Sequence, residues 1–446
     1  MRSQQTVDTK LVFDPRRAPQ PRRPDGLRHS GRRRGSGGRQ AGHSGIRARV
    51  AGFAVAAVFS AAPAPAQAST FEVALRTGQV LQASEIEGDL AQGLVLLVRG
   101  ERRRIEAEDL LAVHGPAAQD VELPAAFLAG GDVVRGQIVG GDAVGDRVDL
   151  WSPVLGRVQL PVDRLAALAA TGVRRPLLLR LPEGVTEALF LRAAVGHDVV
   201  AGSLHQFGEQ GVRFQPEGGP APRWYAPGEF VALRIADAAP RGAPAPMALL
   251  TRTGDRLGVV VRRVAAKTVQ CELEGGAVVE VRLTDVACVS FLGQATFLSD
   301  LVPTEVVESG LQGEAVHPWQ RDASALGGPL VSGGRAHARG LGVHSRSRLV
   351  FRVPAGAVHF WTRVGLDDSS AELGVSANAD VRVLLDGTLR FERKGLGAGE
   401  AQDTGLIEVR PGQLLALEVD FGRARDIGDR VDWLSPVFLP AGGRRP

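Results

Sequence analysis

The feature that most constrains this chain of 446 residues is a short alternation of apolar and polar residues, bounded by glycines, that recurs along most of its length. Val269, Cys271 and Leu273 alternate with polar residues, and apolar residues recur with the same spacing in stretches 349–353, 381–385 and 415–419. Such a period of two is typical of half-buried antiparallel strands. The 56 glycines and 27 prolines favour many turns over long helices. The sequence therefore predicts an all-β protein.

Residues 69–293 contain this pattern four times in degenerate form. Each copy predicts a glycine turn, two strands, a glycine-containing hairpin such as Gly275-Gly276, a third strand, a polar turn and a final apolar strand. Four or five short strands in about 50 residues can close on themselves as a small barrel, which removes exposed edges. In this rhythm the copies resemble SH3-like or Sm-like small barrels. We predict four tandem small β-barrel-like repeats, at 69–116, 117–172, 173–240 and 241–293.

The positive charge of the chain is concentrated at its beginning. Residues 1–49 hold 13 Lys and Arg and 3 Asp and Glu, whereas the remainder holds 40 and 46. Because the excess positive charge lies in this segment and the remainder of the chain is mildly acidic, the sequence argues against nucleic acid as a partner.

An apolar stretch at 50–60 and the cleavage-like Ala66-Gln67-Ala68 follow this basic segment, in the order of a secretory signal peptide. We predict a leader over 1–68 and cleavage near Ala68. The mature protein is then exported to the periplasm or beyond the cell, with no stable transmembrane span, because the apolar stretch is shorter than the ~20 residues that a span needs. An uncleaved anchoring helix is the alternative.

In an exported protein, Cys271 and Cys288 can pair, or they can remain two buried free thiols.

Residues 294–440 carry a different set of motifs. In chain order these are Leu298-Ser299-Asp300, Gly340–His344, Val364–Asp368, Val381–Leu385 followed by Asp386-Gly387, and Asp429–Trp433. Together they resemble the NPCBM family of carbohydrate-binding modules, which occur beside glycoside hydrolase catalytic domains. The resemblance implies a jelly-roll, galactose-binding-like β-sandwich whose partner is a glycan, galactose-like or related. The final residues, 441–446, are predicted to be a disordered tail.

Within this predicted sandwich we select six candidate carbohydrate-binding residues, each with a structural alternative: Trp319, Asp322, His344, Asp367, Asp368 and Trp433. Trp319 is the preferred stacking platform because it lies in a predicted loop beside Asp322. His344 is expected to hydrogen-bond Asp368 or Asp432, or to be a satisfied core histidine. Asp367 and Asp368 follow a glycine, so they can cap backbone donors in a turn or bind a structural calcium ion. No other cofactor is predicted.

The remaining large aromatics have a simpler interpretation. Trp433 and Trp361 are expected mainly in the core, and Trp151, Trp224 and Tyr225 in the repeats are either ligand platforms or core residues. The sequence contains no GxSxG, HExxH or P-loop motif. We therefore expect an exported, non-catalytic carbohydrate-binding protein. The alternatives are a structural protein of the cell envelope, whose repeats contact other envelope proteins, and an accessory protein of a glycoside hydrolase.

Overall fold

A computed structural model describes residues 71–441, apart from 91–92, 116–120, 142–145, 175, 220, 240–244, 266, 274–276, 294, 311–316, 374–375, 424 and 426. The predicted leader with its cleavage site, the Gly275-Gly276 turn and the tail from 442 onward lie outside these residues. In the described part of the chain, no helix is long and apolar enough to cross a membrane.

The first half of the described chain is built from short strands. The strands between residues 69 and 172 are Phe71–Leu75 (β1), Val80–Ala83 (β2), Glu85–Asp89 (β3), Gly93–Val98 (β4), Glu101–Ile105 (β5), Leu110–His114 (β6), Ala125–Leu128 (β7), Val133–Arg135 (β8), Gln137–Gly141 (β9), Arg147–Ser152 (β10), Gly156–Pro161 (β11) and Leu165–Ala169 (β12). Those between 173 and 293 are Glu187–Arg192 (β13), His197–Gly208 (β14), Gly211–Pro216 (β15), Arg223–Tyr225 (β16), Phe230–Ile235 (β17), Met247–Thr251 (β18), Arg256–Val264 (β19), Thr268–Leu273 (β20), Val278–Arg282 (β21) and Val286–Phe291 (β22). Short 3-10 turns lie at Ala107–Asp109, Val162–Arg164, Pro176–Leu178 and Leu283–Asp285.

Each of the four predicted segments begins with a strand that the alternation does not reveal. These strands, β1, β7, β13 and β18, precede the glycine turn and pair with the last strand of the same segment. All five residues of β1 are buried. A strand covered on both faces is apolar throughout and lacks the period of two, which explains why the pattern begins only after the glycine.

The predicted closure of each repeat into its own barrel is wrong, because strands pair across segment boundaries and no barrel closes among the described residues. The last strand of the first segment, β6, pairs with the last strand of the fourth, β22. Likewise β12 of the second segment pairs with β17 of the third. These pairings between segments cover the strand edges that closure of each segment into a barrel would have covered. The number of repeats and their boundaries stay predictions. We refer to residues 71–293 as the small-strand region.

The second half of the described chain consists of two packed antiparallel sheets and a separate two-stranded hairpin, Leu330–Ser332 with Arg335–His337. Its strands are Thr296–Phe297 (β23), Glu305–Glu308 (β24), Gln320–Arg321 (β25), Leu330–Ser332 (β26), Arg335–His337 (β27), Gly340–His344 (β28), Ser347–Arg352 (β29), Ala357–Leu366 (β30), Ala379–Leu385 (β31), Thr388–Leu396 (β32), Gln402–Asp403 (β33), Ile407–Glu408 (β34), Leu414–Phe421 (β35) and Arg430–Pro440 (β36). Two 3-10 turns lie at Leu298–Asp300 and Asp368–Leu373.

The sandwich has one sheet of seven strands and one of five. The larger follows the order β25-β28-β36-β30-β33, with β23 on β36 and β34 on β30, and the smaller follows β24-β29-β35-β31-β32. Apolar residues from both sheets, such as Phe351, Phe360 and Leu417, form one buried core between them. The all-β and β-sandwich predictions are therefore confirmed.

The outer face of the seven-stranded sheet packs against the small-strand region. Trp361 and Val437 belong to the same buried cluster as Ala112, Leu250 and other residues of β6, β18 and β22. Cys288 lies in this cluster, whereas Cys271 lies in the core of the small-strand region. Both cysteines are buried free thiols, so the structure shows the second of the two alternatives.

Candidate functional site

Two histidine rings lie side by side at one end of the sandwich, which we call the loop end. Strand β28 finishes there with His344, and the pairing of Gln320 with Gly342 brings the start of β25 beside it. The His317 and His344 rings lie 4.8 Å apart between centroids, with 33° between their planes. The Nδ1 atom of His344 lies 2.9 Å from the carbonyl oxygen of Ser345. The expected hydrogen bond from His344 to Asp368 or Asp432 stays a prediction.

Trp319 follows His317 by two positions in the chain and is held in place on one side. Its indole is half-buried and packs against the sandwich core, and its backbone N–H donates to Glu308 Oε1 at 2.5 Å. Burial raises the pKa of the Glu308 carboxyl. The Arg321 guanidinium lies 5.9 Å from the centroid of the indole, within the range of a cation–π contact. Trp319 therefore has a fixed orientation, which a stacking platform requires.

Asp322 lies away from the loop end, in the contact with the small-strand region. Its carboxylate accepts hydrogen bonds from Arg256 of β19 and from the Gly340 N–H, the latter at 3.0 Å. Its side chain is 7% exposed. The prediction that Asp322 binds sugar beside Trp319 does not agree with this position, because the carboxylate is buried against a cation of the small-strand region.

Asp367 and Asp368 secure the hairpin of β26 and β27. Both oxygens of Asp368 accept backbone N–H groups of that hairpin, from Gly333 and Gly334, each at 2.8 Å. Asp367 accepts the Ser369 N–H at 3.1 Å and the Ser369 hydroxyl. Both aspartates therefore cap backbone donors in turns, as the structural alternative predicts.

A second carboxyl group, that of Asp432 on β36, is buried against Asp367. Burial, together with the nearby Asp367 charge, raises the pKa of Asp432 well above its usual value, and burial also raises the pKa of Asp367. Two neighbouring carboxyl groups in a dry site are disfavoured from both being ionised, so we expect them to share a proton. The sequence places Asp432 in a motif but does not reveal this partner, which lies on a different strand.

The predicted calcium ion does not fit these carboxylates. Calcium takes six to eight oxygen ligands, whereas both oxygens of Asp368 already accept N–H groups and Asp367 accepts two donors from Ser369. Within residues 71–441, gaps excepted, no group of three or more His, Cys, Asp or Glu residues could hold a metal ion.

The remaining aromatic candidates divide between core and surface. Trp433 is 1% exposed in the sandwich core, where it cannot stack on a sugar, and Trp361 is 3% exposed and donates through Nε1 to Asp403 at 2.9 Å. Tyr225 is a core residue of the small-strand region. Trp224 is half-buried, and Trp151 on β10 is 56% exposed.

A buried ionic network between the sandwich and the small-strand region was not predicted. Arg339 donates to Asp300 and lies 3.6 Å from Asp322, which also binds Arg256. One sequence signal for this contact lies on β30, where Phe360 and Trp361 are adjacent. Neighbouring residues of a strand point to opposite faces of the sheet, so two adjacent bulky residues indicate that both faces are covered.

One family model matches part of this chain, and several solved structures are similar to it. Residues 294–439 match the family model of the NPCBM/NEW2 domain. No curated protein matches the chain. A CBM51 module of GH95 from Clostridium perfringens, solved in complex with methyl-galactose, is 25% identical over 32% of this chain and 99% of that chain, with a TM-score of 0.27.

Two further solved structures are similar. The CBM51-2 and INT domains of Clostridium perfringens ZmpB, in complex with GlcNAc, are 22% identical over 41% of each chain, with a TM-score of 0.28. The tandem CBM51 modules of a family 98 glycoside hydrolase from Streptococcus pneumoniae are 12% identical over 83% of this chain and 88% of that chain, with a TM-score of 0.28. All three TM-scores lie below 0.5, so the assignment depends on the family model. That model assigns residues 294–439 to the NPCBM/NEW2 domain family.

Proposed function

We propose that this protein is an exported, non-catalytic carbohydrate-binding protein whose sandwich binds glycan at the loop end. The observation that carries the proposal is the match of residues 294–439 to the NPCBM/NEW2 family model. The order of basic segment, apolar stretch and Ala66-Gln67-Ala68 supports export. The lack of a recognisable catalytic motif in the whole sequence supports binding without turnover.

The surroundings of the sandwich favour a glycan site at the loop end rather than on the outer face of either sheet. The outer face of the seven-stranded sheet is covered by the small-strand region. On the outer face of the five-stranded sheet, charged side chains satisfy one another, as in the pairs Arg348–Glu418 and Arg382–Glu392. A sugar there would have to displace these ion pairs.

The loop end offers the chemistry that a pyranose needs. The apolar face of a sugar ring stacks on an aromatic side chain, and its hydroxyls need convergent polar groups. Trp319 supplies the platform, and the imidazoles of His317 and His344, which form a ring pair, supply polar atoms. We propose galactose or a related sugar as the ligand.

Titration calorimetry with the full chain tests this proposal. Methyl-galactoside and galactose-containing oligosaccharides are titrated into the wild type, Trp319→Ala and His344→Ala. We expect saturable binding that weakens at least about tenfold in each variant, or about 1.4 kcal/mol. Trp151→Ala, which removes an exposed tryptophan far from the loop end in sequence, is the matched control and should bind as the wild type does. Equal weakening in the control would contradict the assignment of the site.

A further inference from the structure

The end of the sandwich opposite the loop end contains an open groove of about 840 Å³. It lies between the hairpin that joins β31 to β32, the segment 406–413 and the beginning of β30. His344 closes β28 at the loop end, whereas Arg352, at the far end of the next strand β29, leads into the turn before this groove. The groove is thus separated from the loop end by the length of the sheets.

Two arginine side chains line this groove without a partner among the described residues. Arg390 and Arg410 both line the groove and are exposed, and neither guanidinium has an ion pair or hydrogen bond within the described residues. By contrast, Arg346, Arg348 and Arg382 are paired with Asp420, Glu418 and Glu392. Two unpaired guanidinium groups directed at one concavity leave five donors each for an anion.

The backbone around Arg410 is fixed without any ligand. Gln413 Oε1 accepts the Arg410 N–H at 2.7 Å, and Gln413 Nε2 donates to Asp386 Oδ2 at 2.8 Å. The other oxygen of Asp386 accepts the Leu414 N–H at 2.8 Å. This chain of bonds ties the 410–414 turn to the β31–β32 hairpin, so the arginine-bearing rim is pre-organised, which lowers the entropic cost of binding.

The groove also offers an apolar surface and a single opposing charge. Leu406 is 44% exposed and lines it together with Val358 and Leu385. Glu408 and His359, paired in register on β34 and β30, line it as well. Two guanidinium groups therefore face one carboxylate beside an exposed apolar side chain. This combination suits a ligand that carries a carboxylate on a ring with an apolar face.

We propose that this groove is a second binding site, which takes a carboxylate-bearing sugar residue such as a uronate. Arg390 and Arg410 bind the carboxylate, Leu406 contacts the apolar face of the ring, and Glu408 accepts a sugar hydroxyl. The proposal rests on the proposed function only in taking carbohydrate as the ligand class, since it uses none of the loop-end residues.

The test is calorimetric titration of the full chain with galacturonate oligomers and with the same oligomers methyl-esterified. The wild type should bind the acidic oligomers and not the esters. Arg390→Gln and Arg410→Gln should each weaken binding about tenfold, as loss of a charge-assisted hydrogen bond predicts. The matched control is Arg393→Gln, an exposed arginine on the same strand that does not line the groove.

The outcomes separate the two proposals. Equal binding of acid and ester, equal loss in Arg393→Gln, or no binding of the acid by the wild type each overturns the groove proposal. Galactoside titrations of Arg390→Gln and Arg410→Gln should match the wild type, because the loop end is intact. Failure of galactoside binding in the wild type, with acid binding retained and dependent on the two arginines, would count against the loop end alone.

Discussion

Arg363 of the sandwich donates through Nη1 to Glu72 of the first strand at 3.0 Å, across 291 positions of the chain. Both side chains are buried, at 10% and 4% exposure. Arg335 lies 3.1 Å from the other oxygen of Glu72, which also accepts the Gln82 amide N–H at 3.0 Å. The sandwich and the small-strand region thus share a buried, satisfied charge, so we expect the two parts to unfold together.

Replacement of Glu72 tests this coupling. Glu72→Ala leaves Arg363 buried without its partner, which costs about 3–5 kcal/mol of unfolding free energy. The double variant Glu72→Ala/Arg363→Ala should recover part of that loss. The control is Glu101→Ala, whose partner Arg103 is exposed and whose loss should cost no more than about 0.5 kcal/mol. Urea unfolding provides the measurement, and equal stabilities of Glu72→Ala and the control would contradict the coupling.

Asp432→Asn tests the shared proton. Because burial and the Asp367 charge raise the pKa of Asp432 in the folded state, folding takes up a proton at pH values above the unfolded pKa of about 3.9. The associated stability is fully present below that pH and is lost as pH rises toward the raised folded pKa. Asparagine can donate to Asp367 without a proton, so the variant should lose this pH dependence and be at least as stable at pH 7. Urea unfolding across pH 4–8 is the measurement.

Asp386→Asn is the control with the opposite sign. The Leu414 N–H and the Gln413 side chain lower the pKa of Asp386, so its contribution is present above the unfolded pKa and is lost as pH falls. Asp432→Asn and Asp386→Asn should therefore change the pH profile in opposite directions. A parallel change in both variants would contradict the shared-proton interpretation.

The hairpin-securing role of Asp368 makes a prediction about metal. Asp368→Ala removes two bonds to backbone N–H groups, so unfolding free energy should fall by about 1–3 kcal/mol. Amide hydrogen exchange should accelerate at Gly333 and Gly334. EDTA and added calcium should leave the melting temperature of the wild type unchanged. A rise in melting temperature with calcium that Asp368→Ala abolishes would instead restore the calcium assignment.

The sequence predicts individual strands better than it predicts which strands pair or pack together. Alternation identified strands such as β20, β31 and β35, because the period of two reports which face of a strand is buried. It cannot report what covers that face. The pairing of β6 with β22 and the packing of Trp361 on the small-strand region depend on contacts between residues far apart in sequence, so barrel closure was wrongly expected.

The candidate site shows the same limit. Trp319 and His344 are predicted from a loop and a strand end, and the pairing of β25 with β28 places the two segments side by side. Asp322 was selected from the same loop, but its partner Arg256 lies 66 positions earlier. Glu72, one charge within an apolar strand, looks like a surface residue, and only the position of Arg363 explains its burial.

The two cysteines provide a simple check of the core. Burial raises the pKa of the Cys271 thiol to about 12. For Cys288, burial raises the pKa, but His114 together with hydrogen bonds from Ala338 and Ser290 outweighs burial and lowers the pKa overall. Both thiols should be inert to a thiol reagent in the folded protein. Two thiols per chain should react in denaturant without a reductant, whereas none would react if a disulfide were present.

The central claim, that the sandwich binds glycan at the loop end, is tested most directly by calorimetric titration of galactosides into the wild type and the Trp319→Ala/His344→Ala double variant, with folding checked by the melting temperature. We expect saturable binding by the wild type and loss of binding in a double variant that remains folded. Unchanged binding in the double variant, or the absence of binding by the wild type to any glycan tested, would contradict it.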